Sequence, residues 1–376
     1  MMGVKPSRAR ATEPGACNRA GRLQPGRQPR REDETITEHN GAAEDPPTEE
    51  GFHLHGYFGR LVERCRDLPP LRVAVIYPVD RPALLGAVDA YRAGIVRPLL
   101  VGPVRQMADA ASAAGVDIDG FTVVEAPDEA SAAAAGVEAV RGGRADLLMK
   151  GSLHTSTFLH AVVERGSGLR GPRRASHVFV FDVPAYDRPL MVTDAVVNVA
   201  PGLAEKTDIC RNAVDLAHVL GIERPKVAVL SAIEVVDPAV PSTLEAAALA
   251  KMADRGEIEG AVVDGPLALD DAISAAAVAT KHITSAVGGA ADILLVPNLE
   301  AGNILYKSLT YLARADAAGI VVGARVPLVL TSRAGTVRSR VGSAALAAIW
   351  SARPGSGPIP RLSGGDRSRS RPPAGS

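Results

Sequence analysis

From Leu71 onward the chain alternates short apolar, β-branched runs with alanine-rich stretches of helical spacing. Strands buried on both faces of a sheet need continuous apolar runs, and the segments between them must supply covering helices. The alternation therefore predicts an α/β fold with mostly parallel, doubly wound sheets. Leu71–Tyr77, Pro98–Gly102, Phe121–Glu125 and Asp146–Met149 read as strands, with helices over Arg81–Ala93, Val104–Ala114 and Asp128–Arg141. Ser176–Asp182, Leu190–Thr193, Val227–Ser231, Ala261–Asp264, Ile293–Pro297 and Pro327–Leu330 read as the later strands. Only Val183–Pro189 separates Ser176–Asp182 from Leu190–Thr193, too little for a crossover helix, so that pair is expected to be antiparallel.

The 376 residues suggest two or three domains, and 46% apolar against 22% charged residues is the balance of a globular protein with a large core. Lys plus Arg equals Asp plus Glu at 42 each, so no global charge draws the chain toward nucleic acid. Aromatics at 3% leave little for base-stacking platforms. Cys17, Cys65 and Cys210 lie far apart, forming neither a disulfide framework nor a metal-binding pair, which suits a reducing, cytoplasmic setting. Charges interrupt every apolar stretch well short of the roughly 18 residues of a membrane span, so no membrane association is expected. The two ends differ from this body. Residues 1–56, arginine-rich then acidic, and 353–376, rich in Pro, Gly, Ser and Arg, are expected to be disordered tails.

In a doubly wound sheet, ligands bind beyond the carboxyl ends of strands. Four segments stand at such ends. Lys150-Gly151-Ser152-Leu-His-Thr155-Ser follows the fourth strand, and reads either as an anion site built of free N–H groups, hydroxyls and an ammonium, or as an ordinary helix cap. Asp264-Gly-Pro-Leu-Ala-Leu-Asp270-Asp271 offers carboxylates for a cation or a base, or a turn with Asp270 capping a helix from Ala272. In Pro297-Asn-Leu-Glu-Ala-Gly302-Asn303-Ile-Leu-Tyr-Lys307, Asn303 and Lys307 share a face of a helix expected to start near Gly302. An amide and an ammonium at a helix N-terminus suit a phosphate or carbonyl oxygen, whereas a solvated Lys over a satisfied Asn is the plainer reading. Leu330-Thr-Ser332-Arg333 pairs a hydroxyl with a guanidinium, either a phosphate clamp or a cap beside a surface Arg.

Weaker features bound the reading further. His53 and His55 share a face if extended but have no third ligand nearby, and Cys210 reads as core. Neither a Gly-x-Gly-x-x-Gly nor a Gly-Lys-Ser/Thr loop follows the first strand, and no Gly-x-Ser-x-Gly elbow occurs.

Lys226–Glu234, Pro241–Ala246, Val263–Ile273, Ala291–Lys307 and Val326–Arg333 resemble, in order and spacing, the phosphate acetyl/butyryltransferase family. Asp146–Gly151 and Thr193–Pro201 are similar to its butyryl branch. The resemblance runs from about Leu71 to Leu346. It implies two α/β domains in an isocitrate/isopropylmalate dehydrogenase-like architecture, 57–172 with 320–352 and 173–319, around a cleft. It also implies a homodimer or higher homo-oligomer. The implied reaction moves a short acyl group between coenzyme A and phosphate, so acyl-CoA, phosphate and acyl phosphate are the partners and no cofactor is needed beyond CoA as substrate. The resemblance gives Ser332, Asn303 and Asp264 catalytic roles. Arg333, Lys307, Lys150, Gly151, Ser152, Thr155 and Gly302 become substrate contacts, and no metal is implied.

One departure matters. The family's Ser-Arg continues into Ala-Asp-Ser and further acidic residues, one of them thought to be the base. Here Gly335 stands in place of the Asp, with Arg338 and Ser339 in the acidic stretch. Acetyl-type members also carry an arginine near the Lys150 loop where this chain has His160 or Ala161. Two other readings stay open. One is a NAD- and metal-dependent hydroxy-acid dehydrogenase using Asp264, Asp270 and Asp271 as ligands. The other is an eroded, non-catalytic CoA-binding homologue.

Overall fold

The computed structural model describes residues 56–330 and 336–353. Except for Gly56 and Arg353, the two expected tails lie outside these residues, as do His53, His55, Cys17, Ser332, Arg333 and Gly335.

Helix α1 (Gly56–Arg64) leads into four strand–helix units: β1 (Leu71–Ile76) and α2 (Arg81–Arg92), β2 (Val96–Gly102) and α3 (Val104–Ala114), β3 (Thr122–Glu125) and α4 (Glu129–Arg141), β4 (Leu147–Lys150) and α5 (Thr155–Val163). The helix starts follow from side-chain chemistry. Asp80 accepts from the Ala83 N–H at 2.8 Å, and Asp128 and Ser131 close a reciprocal capping box at the head of α4. Next come β5 (Ser176–Asp182), β6 (Leu190–Thr193), α6 (Leu203–Val219), β7 (Lys226–Leu230), α7 (Pro241–Asp254) and β8 (Val262–Leu267). The chain closes with α8 (Leu269–Ile273), α9 (Ala275–Thr280), β9 (Ile293–Leu295), α10 (Leu299–Lys307), β10 (Asp316–Val322), β11 (Leu328–Val329) and α11 (Val337–Ser351). Among the described residues no helix is long and apolar enough to cross a membrane.

All the described strands join one sheet of order β3-β2-β1-β4-β11-β10-β5-β6-β9-β7-β8. Its two ends are parallel blocks: β3, β2, β1, β4 and β11 on one side, β6, β9, β7 and β8 on the other. Between them β11–β10, β10–β5 and β5–β6 are antiparallel. The β5–β6 pairing is the one the short connection predicted. Three successive reversals make the two parallel blocks run in opposite senses, so their carboxyl ends lie at opposite edges of the sheet.

The two faces of the sheet are packed differently. One carries a single apolar core running from Phe58 and Leu84 through Val178, Val180 and α11 to Leu216 and Leu249. Helix α11 is buried continuously from Arg340 to Trp350, and its Gly342 leaves room for Phe58 and Ala318. The other face carries two separate cores. Ile76, Leu148, Phe158 and Leu328 belong to one, and Phe179, Phe181, Leu230 and Leu294 to the other. The break between them falls over the central antiparallel strands.

Candidate active site

The opposed blocks separate the four sequence segments. Lys150 ends β4 and Leu330 follows β11, neighbours at one edge. Asp264 in β8 and Asn298, just past β9, belong to the block that points the other way. Helix α10 reconnects them. It leaves the far edge at Asn298 and, at about 1.5 Å per residue, carries Lys307 roughly 13 Å back toward the edge where β10 begins. That edge is also the Lys150 edge, because β10 is antiparallel to β11.

The expected helix start near Gly302 is therefore corrected. Asn298 is the cap, its Oδ1 accepting from the Ala301 N–H at 2.9 Å, and the helix starts at Leu299. Asn303 lies in mid-helix and Lys307 is the last residue, so neither occupies a helix N-terminus. Lys307 Nζ lies 5.8 Å from the centre of the Tyr306 ring. Gly302 is needed for close packing, since a methyl group there would lie 2.9 Å from Ala195 Cα and 2.9 Å from Val296 Cγ2.

The Lys150 loop is tighter than an open anion cradle. The Gly151 and Ser152 N–H groups already donate to the Ile76 and Tyr77 carbonyls, both at 2.9 Å, which corrects their reading as free donors. A methyl group at Gly151 would stand 2.4 Å from the Ile76 oxygen, so the loop accepts only glycine there. Ser152 Oγ accepts from the Val79 N–H at 3.1 Å. Lys150 is only 7% exposed, and its Nζ donates to the Gly151 carbonyl at 2.9 Å. The donors that remain belong to α5, whose first turn holds Thr155 and whose cap, His154, makes no side-chain capping bond. His154 instead meets Glu129, while His160 is exposed on α5.

The carboxylate segment also changes. Asp264 Oδ1 accepts from its neighbour, the Gly265 N–H, at 2.8 Å. Asp270 does not cap a helix from Ala272: α8 begins at Leu269, and Asp270 sits in its first turn. Asp270 and Asp271 each stand 2.9 Å from Lys281 Nζ, with Glu234 at 3.7 Å. The ammonium holds the Asp270 carboxyl below the usual carboxylate range, and the carboxylates push Lys281 upward. Asp271, fully buried, thus has its counter-ion within the protein, and the ligand set of the dehydrogenase reading is already engaged.

Other residues bear on the site, and of these Tyr306 and Asp316 carry no individual signal in the sequence. Tyr306 stacks on Phe179 with ring centres 4.2 Å apart and 10° between planes. Asp316, first in β10, pairs with Arg338 at 3.2 Å. Ser339 belongs to the first turn of α11, its N–H donating to Thr336. Asp194, buried past the end of β6, accepts from the N–H groups of Val196, Val197 and Asn198 and fixes that loop, while burial pushes its carboxyl upward. Cys210 is core as expected; burial pushes its thiol up to about 12 and that of Cys65 up to about 11. Neither is an available nucleophile at neutral pH.

Residues 128–348 match the family model described as Phosphate acetyl/butaryl transferase. A phosphate acetyltransferase of Rhizobium meliloti is 49% identical over 79% of this chain and 94% of its own length. A phosphate butyryltransferase of Clostridium acetobutylicum is 45% identical over 78% of this chain and 97% of its own. Among solved structures, a branched-chain phosphotransacylase from Enterococcus faecalis V583 superposes with a TM-score of 0.66 at 32% identity, over 74% of this chain and 98% of that one. With an opposed-block α/β sheet, a buried lysine at one edge and an α10 that returns Lys307 toward it, the chain belongs to the phosphate acetyl/butyryltransferase family.

Proposed function

We propose that this protein transfers a short acyl group between coenzyme A and inorganic phosphate, forming acyl phosphate and free CoA. The observation that carries the reading is the shared edge. Lys150 ends β4, the adjacent β11 leads in sequence to Ser332 and Arg333, and α10 brings Lys307 back toward the same side. Lys150 and Lys307 on this side suit a phosphate or an acyl phosphate, and Arg333, three residues past Leu330 in sequence, would add the more selective planar fork.

The halves 57–172 with 320–352 and 173–319 are taken as the two walls of the site. In the direction of acyl-CoA synthesis, a thiolate attacks the acyl phosphate carbonyl and phosphate leaves with the bonding electrons. A free thiol is only a few per cent ionised at neutral pH, so the step needs a base or a cation that favours thiolate. Negative charge grows on the carbonyl oxygen, where donors such as Ser332 and Asn303 contribute about 3 kcal/mol each. Asp264, engaged with its own neighbour's N–H, serves in this reading as an orienting group near the far end of α10. No cofactor enters the chemistry, and CoA is a substrate. The assembly is read as a homo-oligomer; exposed Ile304, Tyr311 and Leu312 on and after α10 support that, and sedimentation tests it.

The testing experiment supplies acetyl-CoA and butyryl-CoA with and without phosphate and measures thiol release. Release that depends on phosphate is expected. Equal release without phosphate would make the protein a thioesterase and overturn the reading.

A further inference from the structure

His177 lies in β5, where the sheet reverses direction and the two cores of one face part. Its neighbours Val178 and Val180 point into the continuous core, whereas His177, Phe179 and Phe181 alternate onto the divided face. The imidazole is 0% exposed, and among the described residues neither Nδ1 nor Nε2 has a hydrogen-bond partner. A fully buried polar ring with both nitrogens unpaired is rare, because each unmade bond costs stability. The surroundings are shaped around it. Gly319 of β10 lies beneath the ring, and a methyl group there would come 2.4 Å from His177 Cε1 and 3.0 Å from Nε2. The ring centre is 4.2 Å from that of Phe179, which in turn stacks on Tyr306 of α10.

We propose that His177 is a specificity-determining residue whose ring N–H donates to the acyl carbonyl oxygen of the substrate. The inference rests on the acyltransferase reading and places the acyl group on the divided face of the sheet, beside His177 and the Phe179–Tyr306 stack, with Gly319 backing the imidazole. A neutral imidazole has one donor and one acceptor, which matches an uncharged carbonyl better than a phosphate. Burial holds the ring down at about 3, so it stays neutral and donates a hydrogen bond without taking up a proton. Access is past α10, which covers this side through the half-buried Leu305 and Tyr306, so binding requires Tyr306 to shift from Phe179. The rings of Phe179 and Tyr306 supply apolar walls for a short chain.

Calorimetric titration of the full chain with CoA, acetyl-CoA and butyryl-CoA, all without phosphate, tests the assignment in wild type, His177→Phe and His177→Gln. The Phe variant should bind both acyl thioesters about tenfold more weakly and free CoA unchanged, the loss of one hydrogen bond. The Gln variant, which keeps a donor, should recover part of that loss. Equal weakening for CoA and acyl-CoA, or no weakening at all, overturns the proposal. Should His177→Phe fail to fold, His177→Met, which also lacks a donor, takes its place: acyl-CoA binding weakened about tenfold with CoA unchanged supports the donor role, and no weakening, or weakening shared by CoA, overturns it. Failure of the acyltransferase reading shows separately, as wild-type protein that binds acyl-CoA without phosphate-dependent thiol release. Wild-type protein that binds no acyl-CoA overturns both.

Discussion

Arg338 Nη1 stands 3.2 Å from Asp316 Oδ2, joining the first turn of α11 to the first residue of β10. The pair is half exposed, and pairs of that kind contribute about 1 kcal/mol or less. A double-mutant cycle of Arg338→Ala and Asp316→Ala, followed by urea denaturation, should return a coupling energy no larger than about 1 kcal/mol. A larger value would make this contact a structural clasp for α11.

The family resemblance sets an acidic residue just after Ser-Arg as the expected base, and at that place this chain has Gly335. Turnover is therefore expected to be slow near neutral pH and to climb toward the thiol pKa as solvent supplies thiolate. Gly335→Asp should raise the rate at pH 7 and flatten the alkaline rise, provided its circular dichroism matches wild type. A flat wild-type profile, unchanged in the variant, would place the base at another residue.

Arg333→Ala should raise the Michaelis constant for phosphate by tenfold or more, the order expected for losing a charge-assisted bond of about 1.5–3 kcal/mol. Its melting temperature should stay close to wild type. The opposite pattern, normal phosphate use with a collapsed melting temperature, would assign Arg333 to the scaffold.

Acid stability should report the buried imidazole. His177 is held at about 3 in the folded protein and returns to its ordinary value of 6.5 on unfolding, so below pH 6.5 the unfolded chain binds the extra proton. Its contribution is whole above pH 6.5 and falls by about 1.4 kcal/mol per pH unit as the pH drops toward 3. The difference between wild type and His177→Phe, measured by denaturation from pH 7 to 4, should show that slope. Parallel curves would mean the ring is protonated in the fold.

Lys281→Met removes the counter-ion of the fully buried Asp271. It should lower the denaturation midpoint far more than Lys251→Met, whose partner Asp254 is well exposed. Similar midpoints for the two variants would show that Asp271 is satisfied without its lysine.

Local patterning makes much of the fold legible. Helix α3 and strands β5 and β6 have the bounds their residues suggest, and the short Val183–Pro189 link specifies an antiparallel pair. Strand β10 escapes notice because Asp316-Ala-Ala-Gly-Ile-Val-Val opens on small residues of low β-propensity; Gly319 is there for the His177 ring, a requirement set by another strand. Without β10 the reversal of the blocks is invisible, and the rule that ligands sit at strand carboxyl ends assigns Lys150 and Asp264 to one place when the sheet puts them at opposite edges. Helix α10 starts before Gly302 because Asn298 is the stronger cap, a competition decided by one side chain. The lysine that satisfies Asp271 lies ten residues away, at Lys281, a separation that no motif spacing flags.

The unequal packing of the sheet's two faces dictates how the molecule can flex. Where apolar side chains run unbroken from Leu84 to Leu249 the interior behaves as a spine, since parting it would expose core to water. The opposite face, already divided above β5 and β10, has no such continuity to lose. Parting the molecule on that side exposes less apolar surface, like pages opening away from a binding, and α10 is bound to one of the two pages through Leu305 and Tyr306.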